Sequence, residues 1–433
     1  MQRRPRCVVI RAWPESVVRM RKFIVGVVVI AGASLLAACS SSGSTSGSSA
    51  GATSSSTGSA TSSAVTVTVI SQDTGPDFSS PDVPPISTAT VAQINSSGGL
   101  AGHKINLVVC NDNQNPTAGG NCARTAVANH SIAVVEGISE EGGTIDPILQ
   151  AAGIPLILSP VVPADYSDPD AFLKDGGTIT LWGAQGELLA ENGCKKIGIL
   201  YDNSNASGGT GPAIVKAGIE TTGLATVVAV KGVPEESPDL QPLVTSLEQA
   251  GADCIASTLT PDQQVDAIRA IHNSADPNLR FGAIGPSLPN ALAAQLGAAA
   301  KGALITTVMY LQSDNRAGPF SSLVTANKIP NVSGFGENAY EGFEILKVAS
   351  QSITGSLTAA SMLHALDTAS DLVVPTAPHA LNFTVPSTVT GFTREMNLYA
   401  VGYDWNGTAY VPLTGGGIVN TAAAFAKYAA ASS

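Results

Sequence analysis

The sequence predicts an α/β protein built on parallel sheets, and three observations carry that prediction. From residue 65 onward, short β-branched runs alternate with helical patterns. That spacing gives parallel strands with helices covering both faces. Nine such units recur, more than one compact sheet accommodates, so two sheets are expected. The length of 433 residues likewise favours two or more lobes over one small core.

The elements follow in order. The run Val65-Thr66-Val67-Thr68-Val69-Ile70 predicts a first strand over 65–70, and a helix is expected over 87–96. Gly98, Gly99 and Gly102 then supply the positive φ that the turn into a strand at 104–110 needs. Further strands are expected at 132–136, 154–158, 195–201, 225–230, 253–257, 280–283 and 303–307. Helices are expected at 117–129, 143–152, 183–192, 212–221, 240–250 and 261–272. The tail, 415–433, is rich in Gly and then Ala and is expected to end as a loose helix with no assigned role.

The N-terminus is a separate object. Residues 1–38 hold seven bases and one acid, leaving 15 bases and 32 acids for 39–433, a net charge of −17. Arg21-Lys22 precede a 16-residue apolar stretch, 23–38, which is short for a membrane span and right for a signal peptide. Leu36-Ala37-Ala38-Cys39 looks like a bacterial lipobox, which implies cleavage before Cys39 and its acylation. An uncleaved anchor with a chance cysteine is the alternative. Met20 makes the better signal start, so translation is expected to begin there, with Cys7 untranslated. Residues 40–64 are almost wholly Ser, Gly, Thr and Ala, a flexible tether spanning roughly 25–30 Å. The GxSxG match at Gly47–Gly51 falls in this run and lacks the strand and helix that a nucleophile elbow requires.

The composition excludes whole classes. A formal charge of −11, with charged residues only 13% of the chain, argues against a nucleic-acid partner, which needs a basic face. One apolar stretch excludes a multi-span protein. Cys110 ends a strand and Cys122 lies in the following helix; Cys194 and Cys254 open strands that a doubly wound sheet commonly makes neighbours. Disulfides Cys110–Cys122 and Cys194–Cys254 are therefore expected, each contributing roughly 3–4 kcal/mol. Four buried free thiols are the alternative. No CxxC occurs, and His103, His130, His272, His364 and His379 have no partners at ligand spacing, so no metal or other cofactor is expected.

A more specific signal lies in an ordered set of motifs. Ile94-Asn95-Ser96-Ser97-Gly98-Gly99-Leu100-Ala101-Gly102 and the following Ile105-Asn106-Leu107-Val108-Val109-Cys110-Asn111-Asp112 resemble a conserved segment of type I periplasmic solute-binding proteins. These are the branched-chain amino acid, amide and urea receptors of ABC transporters. Cys122-Ala123-Arg124, Gly153-Ile154-Pro155-Leu156-Ile157-Leu158-Ser159-Pro160, Lys195-Lys196-Ile197-Gly198-Ile199-Leu200-Tyr201-Asp202 and Asn338-Ala339-Tyr340 match later segments in family order. The resemblance implies two Rossmann-like lobes with parallel sheets, joined by a three-crossover hinge near 174–180, 308–311 and 393–398. It divides the chain into 65–176 plus 310–394 and 177–309 plus 395–433. It also implies capture of a small solute by lobe closure. The protein would then be an exported, lipid-anchored monomer that docks on a permease with its ATPase subunits.

By that resemblance the cleft loops are 71–78, 137–142, 159–166, 201–207, 285–288 and 309–311. Candidate ligand contacts are Phe78, Ser139, Glu140, Glu141, Ser159, Trp182, Asn203, Ser287 and Tyr310. The chain departs from the amino-acid clasp of its relatives. Glu140 and Glu141 sit in the serine-rich turn, Pro163 falls where a threonine holds the carboxylate, and Gly285-Pro286-Ser287-Leu288 lacks the acid that holds the ammonium. Two carboxylates would favour an amine, amidine or polyol donor; equally, acids at a helix start are favoured by its dipole, at about 0.3–1 kcal/mol each. Trp182, Tyr310 and Phe78 could stack on a ligand or simply pack. No P-loop, HExxH or SxxK occurs, so no enzyme is expected. The rivals are a sensing receptor of the same fold with a separate signalling partner, and a secreted hydrolase.

Overall fold

A computed structural model describes residues 63–75, 79–203, 209–234 and 239–432. The signal, Cys39, residues 40–62 of the tether and Phe78 lie outside the described residues. The chain runs β1 (Val65–Ser71), α1 (Val83–Ser96), β2 (Ile105–Asn111), α2 (Pro116–Ala128), β3 (Ala133–Glu136), α3 (Gly142–Ala152), β4 (Leu156–Leu158) and β5 (Ala171–Leu173). It continues through α4 (Gly177–Glu191), β6 (Lys196–Asp202), α5 (Thr210–Thr222), β7 (Thr226–Val233), α6 (Gln241–Gln249), β8 (Cys254–Thr258), α7 (Pro261–His272), β9 (Arg280–Ile284), α8 (Asn290–Leu296) and β10 (Leu304–Thr307). It ends with α9 (Gly318–Asn327), α10 (Gly334–Ser350), α11 (Ala359–Asp367), β11 (Tyr399–Trp405), β12 (Tyr410–Pro412), β13 (Ile418–Asn420) and α12 (Ala422–Ser432).

These residues make two sheets. The first has strand order β2-β1-β3-β4-β5, all parallel. The second has order β12-β11-β10-β9-β8-β6-β7, with β13 beside β11. Strands β6 to β10 are mutually parallel, but β11 runs antiparallel to β10, β12 and β13. The purely parallel expectation therefore holds for the first sheet and most of the second. Both sheets bury apolar clusters on both faces, and a central strand such as β4, Leu156-Ile157-Leu158, is apolar throughout.

Local chemistry sets the helix starts. Asn115 caps α2 by accepting from the amides of Thr117 and Ala118, with Pro116 in the first turn where no N–H is needed. Thr260 and Gln263 form a reciprocal capping box on α7. Helix α4 begins six residues before the expected 183, because twelve of its fifteen residues are buried and no polar stripe marks its first turns. The short β5 and the antiparallel β11 to β13 have no counterpart among the expected strands. Both expected disulfides are present, Cys110–Cys122 and Cys194–Cys254, with Cα atoms 5.6 and 5.8 Å apart. Asp253 lies beside the second pair, but those sulfurs are bonded to each other and offer no thiolate to a metal.

Three chain segments connect the sheets. The first leaves β5 through 174–176 into α4, and the second runs from β10 through 308–317 to α9. The third, 394–398, leads into β11. They lie side by side. Arg394 Nε donates to the Ala171 carbonyl at 2.6 Å, Asn397 Nδ2 to the Leu173 carbonyl at 2.9 Å, and Lys174 Nζ approaches Met309 Sδ at 3.4 Å. Gly177 sits at φ 55°, and a Cβ there would strike the Pro160 carbonyl, so this junction requires glycine. All three segments meet the sheets where the parallel strands end. The loops at those carboxyl ends therefore gather at the hinge.

Candidate functional site

In an open α/β sheet a ligand binds outside the carboxyl ends of the strands, where the strand order reverses. In the first sheet that point lies between β1 and β3; in the second, between β6 and β8. Gln72 occupies the first. It is fully buried, and its Oε1 accepts the Glu140 amide at 2.8 Å while its Nε2 has no partner. Ser139, also buried, donates from Oγ to Asp112 Oδ2 at 2.6 Å and accepts from the Glu141 amide at 3.1 Å. Gln114 Nε2 donates to Glu140 Oε2 at 2.7 Å. Gln114 and its neighbour Asn113 both have positive φ, 54° and 53°, backbone that non-glycine residues adopt at a cost.

This edge is anionic. Burial raises the Asp112 carboxyl above its ordinary value, and the charge of Glu140 adds to it, against the hydrogen bonds from Ser139 and the Gln114 amide. Burial also raises Glu141 and Asp73, and Asp112 adds its charge to both. The second switch point carries Asp202, whose Oδ1 accepts from Gln263 Nε2 at 3.2 Å. Opposite it lies Thr258, whose buried Oγ1 has no partner.

Between the two edges, a buried charge cluster ties the connecting segments together. Lys174 Nζ lies 2.7 Å from Asp175 Oδ2 and 4.0 Å from Glu341 Oε1, with none of its side chain exposed. Burial pulls its pKa down, but Asp175 and Glu341 more than offset that, and the net direction is up. Glu341 also accepts from Thr376 Oγ1 at 2.6 Å. Burial raises the Glu337 and Glu395 carboxyls well above their ordinary value, with the charge of Glu341 adding to the first and that of Asp175 to the second.

The structure gathers Ser139, Glu140 and Glu141 at the first switch point. Ser159 sits at the hinge, donating to Asp175 Oδ1 at 2.7 Å. Asn203 is exposed just beyond β6, and Ser287 is buried in the turn after β9. Trp182 is not on a loop edge; it lies on α4 and packs against two apolar clusters. Tyr310 carries the Arg316 guanidinium 4.1 Å above its ring. That arginine is in turn clamped by Asp314, which also accepts from Tyr403 at 2.9 Å. Gln72 falls inside the expected cleft loop 71–78 without being among the candidate contacts, while Asp112 and Thr258 owe their position to strand order, which no local pattern reveals. A cavity of about 360 Å³ lined by Ile271, Leu279, Arg280, Phe281 and Lys301 lies at the opposite ends of β9 and β10, remote from this chemistry. Among the described residues, no helix is long and apolar enough to cross a membrane.

Comparison with known proteins places this geometry in context. Residues 64–406 match the family described as periplasmic binding protein. A Leu/Ile/Val-binding protein homolog 3 of Brucella melitensis is 26% identical over 312 residues, covering 69% of this chain and 83% of that protein. Among solved structures, a putative branched-chain amino acid ABC transporter protein from Rhodospirillum rubrum superposes with a TM-score of 0.66 at 15% identity, over 81% of this chain and 100% of the other. A solute-binding protein of an ABC transporter from Rhodopseudomonas palustris, in complex with 3,4-dihydroxybenzoic acid, gives 0.63 at 16%, over 83% and 98%. At such identities the structural likeness is one of fold, and the ligands in these relatives range from amino acids to aromatic acids.

Proposed function

The chain belongs to the periplasmic binding protein family, of the two-lobed type I kind found in branched-chain amino acid ABC transporters, and from that premise we propose how it works. It is an exported lipoprotein, held to the outer face of the cytoplasmic membrane through Cys39. It captures a small polar solute (an amino acid, amide or amine) between lobes 65–176 plus 310–394 and 177–309 plus 395–433. Closure of those lobes presents the solute to an ABC permease, whose ATPase subunits supply the work. The protein acts as a monomer.

One observation carries this proposal. The three connecting segments run side by side at the carboxyl ends of both sheets, which leaves each switch point on an edge next to a common hinge. A solute that touches both edges favours the closed arrangement by its differential contacts alone. The test is a thermal-shift panel of amino acids, amides, polyamines, urea and aromatic acids, followed by calorimetry and small-angle scattering on the hits. A hit should bind without turnover and reduce the radius of gyration. Turnover, or binding without compaction, would overturn capture by closure. For the anchor, Cys39→Ser should release the protein into the soluble fraction; full membrane retention would count against acylation.

A further inference from the structure

We propose that the solute carries a positively charged group and docks it on the first sheet's switch point, against Glu140 with the buried charge of Asp112 behind it, and with a neutral hydrogen-bond acceptor beside it for Gln72. This rests on the capture reading above and narrows it to one class, amines and amidines bearing an adjacent carbonyl, such as α-amino amides.

The argument starts from Ser139, the only hydroxyl on the turn at 137–142. A solute carboxylate would need a proton donor here. The single Ser139 proton is committed to Asp112 at 2.6 Å, and its oxygen already accepts from the Glu141 amide. The turn therefore has no hydroxyl donor to spare, and a carboxylate sits directly behind it. Asp112 adds its negative charge to the Asp73 and Glu141 carboxyls, Glu140 adds its own to Asp112 and Glu141, and among the described residues none of the four is in an ion pair. An anionic solute would be repelled; a cation would relieve that repulsion.

Gln72 supplies the second, independent observation. Its amide oxygen faces the Glu140 N–H, so its Nε2 lies at the same point, fully buried and without a partner. Such a donor costs free energy until it meets an acceptor. A neutral carbonyl oxygen next to the cation satisfies it without adding negative charge to an acidic edge. Glu140 is held for this role by Gln114, whose strained backbone implies that the surrounding structure fixes its position.

The test compares three series that share the side chains of alanine, leucine, phenylalanine and arginine: α-amino amides, α-amino acids, and the deaminated carboxylic acids. Calorimetry should find at least one amino amide binding tenfold or more tighter than its amino acid, and no binding of the deaminated acids. Glu140→Gln should weaken the amide at least tenfold with an unchanged melting temperature. Asp112→Ala, which removes the acceptor, should free the Ser139 proton and shift the preference towards the amino acid. A deaminated acid or amino acid binding more tightly with lobe compaction would overturn the polarity assignment while leaving capture intact. No binding by any amide, or unchanged affinity in Glu140→Gln, would overturn the assignment too. Capture itself fails only if no member of the wider panel compacts the protein.

Discussion

Lys174 keeps its charge with no exposed side-chain surface, paired to Asp175 at 2.7 Å and within 4.0 Å of Glu341. Such a pair adds little net stability over an apolar equivalent, but removing one partner strands the other. Lys174→Met is therefore expected to cost about 3–5 kcal/mol in urea unfolding. A loss below 1 kcal/mol would mean that Asp175 and Glu341 take up protons when the lysine leaves. Single residues were unevenly legible in the sequence. Glu140 and Glu141 stood out because two acids occupy a turn that is serine-rich in relatives. Gln72 and Asp112 carry as much of the same edge, yet an isolated glutamine after a strand gives no signal. Its importance comes from a missing hydrogen bond, a property of three-dimensional neighbours.

At the scale of elements, the capping box on α7 and the two disulfides can be tested directly. Thr260→Ala removes an accepted bond at the helix start and is expected to cost about 1 kcal/mol by thermal unfolding. Replacing both Cys194 and Cys254 by serine opens a loop of 60 residues, with an expected loss of about 4 kcal/mol; the 12-residue Cys110–Cys122 loop should give about 3 kcal/mol. Equal losses would show that loop entropy is not the controlling quantity. The recurring βα units are readable because the central strands are buried on both faces and the strands are bounded by turn residues. β5 was not, since three residues carry no periodicity. The first turns of α4 were hidden by burial on nearly every side. β11 and β12 did carry a signal that the strand assignment passed over. Asn406-Gly407 lies between Tyr403-Asp404-Trp405 and Tyr410-Val411, and the Asn406 side chain accepts from the amides of Thr408 and Ala409 to close the hairpin.

For the whole molecule, the dominant electrostatic fact is the number of carboxyls that burial raises above their ordinary value. Burial, helped by Glu191, pushes Glu187 up to about 7, and burial places Glu136, Glu337 and Glu395 well above their ordinary value of 4.5. In the unfolded chain these groups ionise near 4.5. Their stabilising contribution is therefore complete below that pH and is lost as pH rises through the folded values. Asp314, lowered by Arg316, works in the opposite direction but is one group against several. The melting temperature at constant ionic strength should be higher at pH 5 than at pH 8, and Glu187→Gln should narrow the gap. A flat profile would mean that these carboxyls are ionised in the folded protein.

The three crossings have one more consequence, for the order in which the protein can be completed. β11 must slot between β10 and β12, and α12 must settle on α5, where Lys427 Nζ reaches Glu220 at 3.1 Å. A chain emerging amino-terminus first, from a ribosome or through a secretion channel, can pair its first sheet early. Its second sheet stays an unfinished ladder until residue 405 and beyond have cleared the exit. Vectorial threading thus meets a fold whose last stitch comes from its far end.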